Sequence, residues 1–130
     1  MIKKIAFVSH RSKDMAQDKR FYGELLGLQL SANHEDKWVE FDTPEGKTIA
    51  IEMFSPEGTP PTLALETDDI EAEVARLKEA GVTFEGEIMD NKVCKMAFAK
   101  DPSGNTVMLH QVEPARLARM EADKKAQGAS

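Results

Sequence analysis

Cysteine is nearly absent from this chain. Cys94 stands alone, so no internal disulfide framework can exist, and a reducing, cytoplasmic setting is the expectation. Positive charge is in deficit: 17 basic against 23 acidic residues leave a net charge of −6. No Lys/Arg cluster offsets it, which argues against nucleic acid as a partner and leans toward neutral or cationic small ligands. Long apolar runs are also missing. The four residues Ile5, Ala6, Phe7 and Val8 are followed at once by Ser9, too short a run for a signal peptide or a membrane span. No Ser–His–Asp signature, Gly-rich phosphate loop or Cys-x-x-Cys pair occurs, so the motif record supports neither nucleophilic catalysis, nucleotide binding nor structural zinc. Histidine appears three times and tryptophan once, which makes each a place to look for chemistry.

What is present repeats. Asp101-Pro-Ser-Gly-Asn reads as a type I turn closed by a left-handed glycine, and Thr43-Pro-Glu-Gly is a second version of it. Strand periodicity covers residues 2–9, 37–42, 47–54, 62–67, 93–99 and 106–112, with short strands at 28–32 and 82–84. Asp14 with Gln17, and Asp68 with Glu71, resemble capping boxes that open helices. The first helix carries Met15, Tyr22, Leu25 and Leu26 on one face, and the second carries Ile70, Val74 and Leu77. The pattern is strand–helix–strand–strand–strand, written twice. A single domain is expected, with module one at 1–54, a Pro-rich linker at 55–61, module two at 62–112, and a tail at 113–130 that opens a helix at Pro114.

Three stretches carry a family likeness: Asp14-Met with Phe21-Tyr-Gly-Glu-Leu-Leu-Gly-Leu; Glu66-Thr-Asp-Asp-Ile with Leu77-Lys-Glu-Ala-Gly-Val; and Asp101-Pro-Ser-Gly-Asn. With the duplicated layout, the chain resembles the vicinal oxygen chelate superfamily of glyoxalase I, extradiol dioxygenases and bleomycin-resistance proteins. The resemblance implies an α+β fold: two tandem βαβββ modules forming a cupped, partly open mixed β-sheet barrel with helices outside. It also implies a homodimer and a small-molecule ligand, with a divalent metal (Zn, Ni, Mn or Fe) in the metal-dependent members. Those members take His and Glu ligands from the first and last strand of each module. Here the matching positions fall near Lys4, on Thr62, and on Met108, with Glu52 or Ala50 as the remaining one. Lys and Met do not replace His and Glu around a divalent ion.

Counting back from the two turns assigns faces. Trp38 lies opposite Glu52, Glu40 opposite Ala50, Met96 opposite His110, and Phe98 opposite Met108. Val39, Phe41, Ile49, Ile51 and Met53 form an apolar face suited to a helix. The other face gathers Trp38, Glu40, Glu52, Cys94, Met96, Phe98, Met108 and His110, and His10 is expected on the same side as Lys4. Glu40, Glu52 and His110 are the candidate metal ligands, with Glu40 and His110 also the candidate catalytic groups. Trp38, Met96, Phe98, Met108, Cys94 and His10 are the candidate ligand contacts. The leading expectation is a metal-dependent lyase, isomerase or dioxygenase of the glyoxalase type with a non-standard ligand set; the alternative is a metal-free, bleomycin-resistance-like protein that sequesters a small organic compound.

Overall fold

Two Pro-x-Gly turns set the register of both modules. Thr43 N donates to Lys47 O (2.8 Å) and Gly46 N to Thr43 O (2.9 Å); Asp101 N donates to Asn105 O (2.9 Å) and Gly104 N to Asp101 O (3.0 Å). Gly46 and Gly104 sit at φ +85° and +89°, the left-handed conformation that ends such a hairpin. The Asn105 side chain, with the Asn105, Ser103 and Gly104 amides, holds the Asp101 carboxyl below the usual carboxylate range. The computed structural model describes residues 1–113; the helix expected beyond Pro114 lies outside them.

The elements follow the duplicated order: β1 (Ile2–Arg11), α1 (Met15–Lys19) continuing as a π-helical segment (Arg20–Leu25), β2 (Gln29–His34), β3 (Trp38–Asp42) and β4 (Thr48–Glu52), then β5 (Thr62–Thr67), α2 (Ile70–Glu79), β6 (Met89–Asp90), β7 (Cys94–Lys100) and β8 (Thr106–Val112). They form one mixed sheet in the order β2-β3-β4-β1-β5-β8-β7-β6. Each module pairs its first strand parallel to its last, β1 with β4 and β5 with β8, and the modules join through the antiparallel pair β1–β5. The sheet is cupped and open, not closed into a barrel. Among the described residues no helix is long and apolar enough to cross a membrane.

Both helices lie on the convex side. Met15, Val39, Phe41 and Ile51 are buried under α1, with Tyr22, Leu28 and Ile49 against them. Ile70, Val74, Ala97 and Leu109 are buried under α2, with Leu65, Leu77 and Phe84 alongside. A third cluster, Phe7, Ala50, Ala64 and Met108, fills the floor of the concave side.

Four local expectations are corrected. The first helix leaves α geometry after Lys19. The wider π turn rotates later residues off the packed stripe, so Leu25 and Leu26 are exposed while Leu28 packs instead. The strand at 28–32 starts and ends later, at Gln29–His34. Around residues 82–84 only Phe84 pairs, as a single bridge to Ala99; the module's second strand is Met89–Asp90, which pairs with Lys95 and Met96. The cap of α2 is Asp69, whose carboxylate accepts from Ala72 N at 3.1 Å. Gln111 explains that one-residue shift: its amide bridges Asp68 O (3.0 Å) and Ile70 N (2.8 Å), so Asp68 is held outside the first turn. Replacing Asp69 with alanine should therefore destabilise the fold by about 1 kcal/mol, and Asp68→Ala by clearly less, as read from urea denaturation midpoints.

Candidate functional site

The expected hairpin registers hold. Trp38 pairs with Glu52 and Glu40 with Ala50; Met96 pairs with His110 and Phe98 with Met108. These residues line the concave side, where Phe7 stands between the modules. Its ring meets Trp38 edge-on at 5.4 Å and His110 at 5.5 Å between centroids. Trp38, Met96 and Phe98 are half-buried and pack on the floor cluster. Of the positions where the family resemblance looks for metal ligands, Ala50 and Met108 belong to that apolar cluster, Thr62 and Glu52 are buried, and Lys4 is exposed.

His10 is on the other side from Lys4. Lys4 pairs with Glu66, but a register shift between Ile5 and Phe7 changes the phase of β1. An extra residue in a strand inverts the alternation beyond it. His10 then pairs with Ile51, a core residue beneath α1, and its Nδ1 meets the Tyr22 hydroxyl at 3.2 Å. Burial, and then the charge of Asp18, push the Tyr22 phenol above its ordinary value.

The carboxylates are engaged. Trp38 Nε1–H donates to Glu40 Oε2 at 2.7 Å, tying the rim tryptophan to its neighbour on the same face. Glu52 is buried, and its carboxylate closes the turn after β4: Oε2 accepts from Phe54 N (2.7 Å) and Ser55 N (2.9 Å), and Oε1 accepts from the Ser55 hydroxyl. His110 is buried at the end of β8, with Nδ1 2.6 Å from Glu66 Oε1, while Glu66 Oε2 accepts from Val112 N at 2.9 Å. Burial works against the charged imidazole, but hydrogen bonds to Cys94 and Glu66 and their charges outweigh it and raise the pKa to about 9. At neutral pH the ring is therefore an imidazolium. Glu40, Glu52 and His110 thus each have donor atoms occupied by protein groups. Among the described residues no group of three or more His, Cys, Asp or Glu is placed to hold a metal ion.

Sequence reasoning missed Glu66 and Phe7. Glu66 pairs with His110 across the parallel β5–β8 contact, which no turn count reaches. Phe7 is turned inward only by the β1 irregularity.

The comparisons agree with this architecture. The family model for the Glyoxalase/Bleomycin resistance protein/Dioxygenase superfamily matches residues 4–109. An uncharacterized protein of Bacillus subtilis (strain 168), YetH, is 26% identical over 121 residues, which is 85% of this chain and 100% of that one. Methylmalonyl-CoA epimerase from Mycobacterium tuberculosis superposes with a TM-score of 0.74 at 18% identity, covering 90% of this chain and 93% of that chain. A superfamily member from Vibrio splendidus 12B01 gives a TM-score of 0.65 at 18% identity, covering 87% and 100% respectively. At such identities the solved structures speak for the fold.

Proposed function

The chain belongs to the glyoxalase/bleomycin resistance protein/dioxygenase superfamily, and from that premise we propose that it binds a small organic molecule, neutral or cationic and aromatic, on the concave face without a bound metal. The observation that carries the reading is the floor of the cup. Phe7, Ala50, Ala64 and Met108 form a buried apolar cluster under Trp38, Met96 and Phe98, where an ion would need donors. Above it Trp38, Met96 and Phe98 supply walls, and Glu40 supplies one negative group beside the indole. Aromatic and apolar walls with one charged group suit an organic cation, held by cation–π and ionic attraction together. The chain acts in this reading as a cytoplasmic homodimer; exposed Phe21, Leu25, Leu26 and Leu30 leave apolar area on the α1–β2 side for a second copy.

The metal-dependent reading is the alternative, with Glu40, Glu52 and His110 as ligands. It requires each to leave a present partner. Trp38 is the only tryptophan, so its fluorescence reports on the cup directly. A panel of aromatic cations should include one that quenches it saturably and raises the melting temperature, because a ligand selective for the native state adds stability. Trp38→Ala should weaken that binding by about tenfold or more, the loss of one cation–π and stacking contact of roughly 1.5–2 kcal/mol. Elemental analysis after metal loading should find under about a tenth of an equivalent of Zn, Ni, Mn or Fe per chain, since sites of this kind bind tightly. About one equivalent, lost in His110→Ala, would move the assignment to the metal-dependent enzyme.

A further inference from the structure

We propose that Ser9 and Thr62 are the oxygen-recognising end of the cup, and that its ligand carries a neutral carbonyl about one benzene ring away from its cationic group. This rests on the cup reading and adds to it the chemistry of the ligand's far end. Register places the parts in one line. Glu40 pairs with Ala50 across β3–β4, Ala50 with Ser9 across β4–β1, and Ser9 with Thr62 across β1–β5. Directly paired residues share a face, and Ala50 belongs to the floor of the cup. The row therefore crosses four strands on the concave side as carboxylate, methyl, hydroxyl, hydroxyl. Strand alternation gives the same answer independently: Ser9 lies two residues beyond Phe7 and Thr62 two before Ala64, both floor residues. The irregularity of β1 falls between Ile5 and Phe7, ahead of Ser9.

The two hydroxyls are unspent. Ser9 and Thr62 are each 8% exposed, yet no protein group among the described residues hydrogen-bonds either side-chain oxygen. Buried side-chain polar atoms ordinarily have a partner. Among the described residues, the one side-chain polar atom both sealed from solvent and without a hydrogen bond is Glu73 Oε2, in α2. The Ser9 and Thr62 oxygens are therefore not sealed, and on their face the opening is the cup. Packing does not require them: alanine and valine at these places would continue the apolar floor that Ala50 and Ala64 make.

Each hydroxyl thus keeps a proton that no protein acceptor takes. A carbonyl oxygen has two lone pairs and no proton of its own, so it can accept from both. An anionic oxygen would share the row with Glu40 and enter a chain of net charge −6, so the acceptor that fits is neutral. The row also sets the length. Glu40 and Ser9 stand two strand separations apart, roughly 9–10 Å between backbones, and the side chains of a concave face lean together. That span suits an aromatic ring with an ammonium at one end and a carbonyl at the other. Ala50, between them, leaves room for the ring. Trp38, whose indole donates to Glu40 at 2.7 Å, stands at the ammonium end.

Two trimethylanilinium ions are the probes, one with a para-acetyl group and one with a para-ethyl group. They share charge and nearly share shape, and differ as C=O against CH2. Titrated against Trp38 fluorescence of the full chain, both should bind saturably, the acetyl compound about tenfold more tightly, because the ethyl compound leaves the hydroxyls unpaired. In the double variant Ser9→Ala, Thr62→Val the ratio of the two affinities should fall to within about twofold of one. Glu40→Gln should weaken both compounds and keep the ratio, since it acts at the ammonium end. Equal affinities in wild type, or a preference that survives the double variant, would overturn the proposal and leave the cup reading standing. If neither compound binds but another aromatic cation does, this proposal falls alone; if no aromatic cation binds, both fall. Should the double variant not fold, infrared difference spectra of wild type with the isotope-labelled ketone decide. A carbonyl stretch below its position in an apolar solvent is expected, and one equal to it overturns the proposal.

Discussion

Glu66→Ala lowers the stability of the chain by about 2–4 kcal/mol near neutral pH, and the cost shrinks as the pH is raised through about 9. The magnitude comes from two losses at one carboxylate. His110 loses the partner of its Nδ1, and the amide of Val112 loses its acceptor. Both side chains are largely out of water, 9% and 13% exposed, so solvent replaces neither bond. Breaking a buried pair by removing one member leaves the other charge without compensation, the expensive case. The sign follows from the imidazole. It titrates at 6.5 when unfolded and at about 9 in the fold, so the fold prefers the protonated ring. That preference, about 3 kcal/mol, is whole below 6.5, declines as pH rises, and is gone above about 9. Urea denaturation of wild type and variant across pH reads the difference. An equal cost at about pH 6 and about pH 10 would show that the charge of the imidazole contributes nothing and that Glu66 acts through its hydrogen bonds alone.

His110→Ala is the complementary variant, and it separates the roles of the two groups. It removes the charge and leaves Glu66 with the Val112 amide. The decline should weaken with it, because the ring held protonated across that window is gone. A stability profile that keeps its decline through about 9 in His110→Ala would assign that decline elsewhere.

How far these groups were legible in the sequence depends on what links them. The two hairpins are local. A glycine that must take positive φ fixes the turn, the turn fixes the register, and register alone placed Trp38 against Glu52 and Met96 against His110. The helix and cup faces of β3, β4, β7 and β8 follow from period-two alternation once the turn is known. Contacts between strands far apart in sequence carry no such mark. Glu66 meets His110 because β5 lies parallel to β8, and parallel neighbours are joined by a crossover whose length says nothing about register. The phase change in β1 is equally silent. The irregularity between Ile5 and Phe7 sends Phe7 inward and His10 to the helix side, in an apolar run, Ile5-Ala6-Phe7-Val8, that no glycine, proline or charge interrupts.

The sheet has two faces, and Phe41→Ala tests whether they are energetically separate. Phe41 is 2% exposed, between Val39 and Ile51 of the sheet and Met15 and Tyr22 of the first helical segment. Truncating it leaves a cavity under the π-helical turn, and the expected loss is about 3–5 kcal/mol. That is a large part of the 5–15 kcal/mol typical of a domain, and for a chain of this size it lowers the melting temperature by roughly 10–20 °C. Trp38 lies on the opposite face of the same strand, so protein that remains folded should bind a cup ligand with little change in affinity. Gly23 provides the internal control. A Cβ there would lie 3.2 Å from Phe41 Cε1, so Gly23→Ala crowds the wild-type ring but enters the cavity of Phe41→Ala. The two substitutions should couple favourably by about 0.5–1.5 kcal/mol in a double-mutant cycle. Simple additivity would mean that the turn moves freely over β3. In that case a loss of helix-side packing would reach the cup as well, and the separation of stability from binding across this sheet would fail with it.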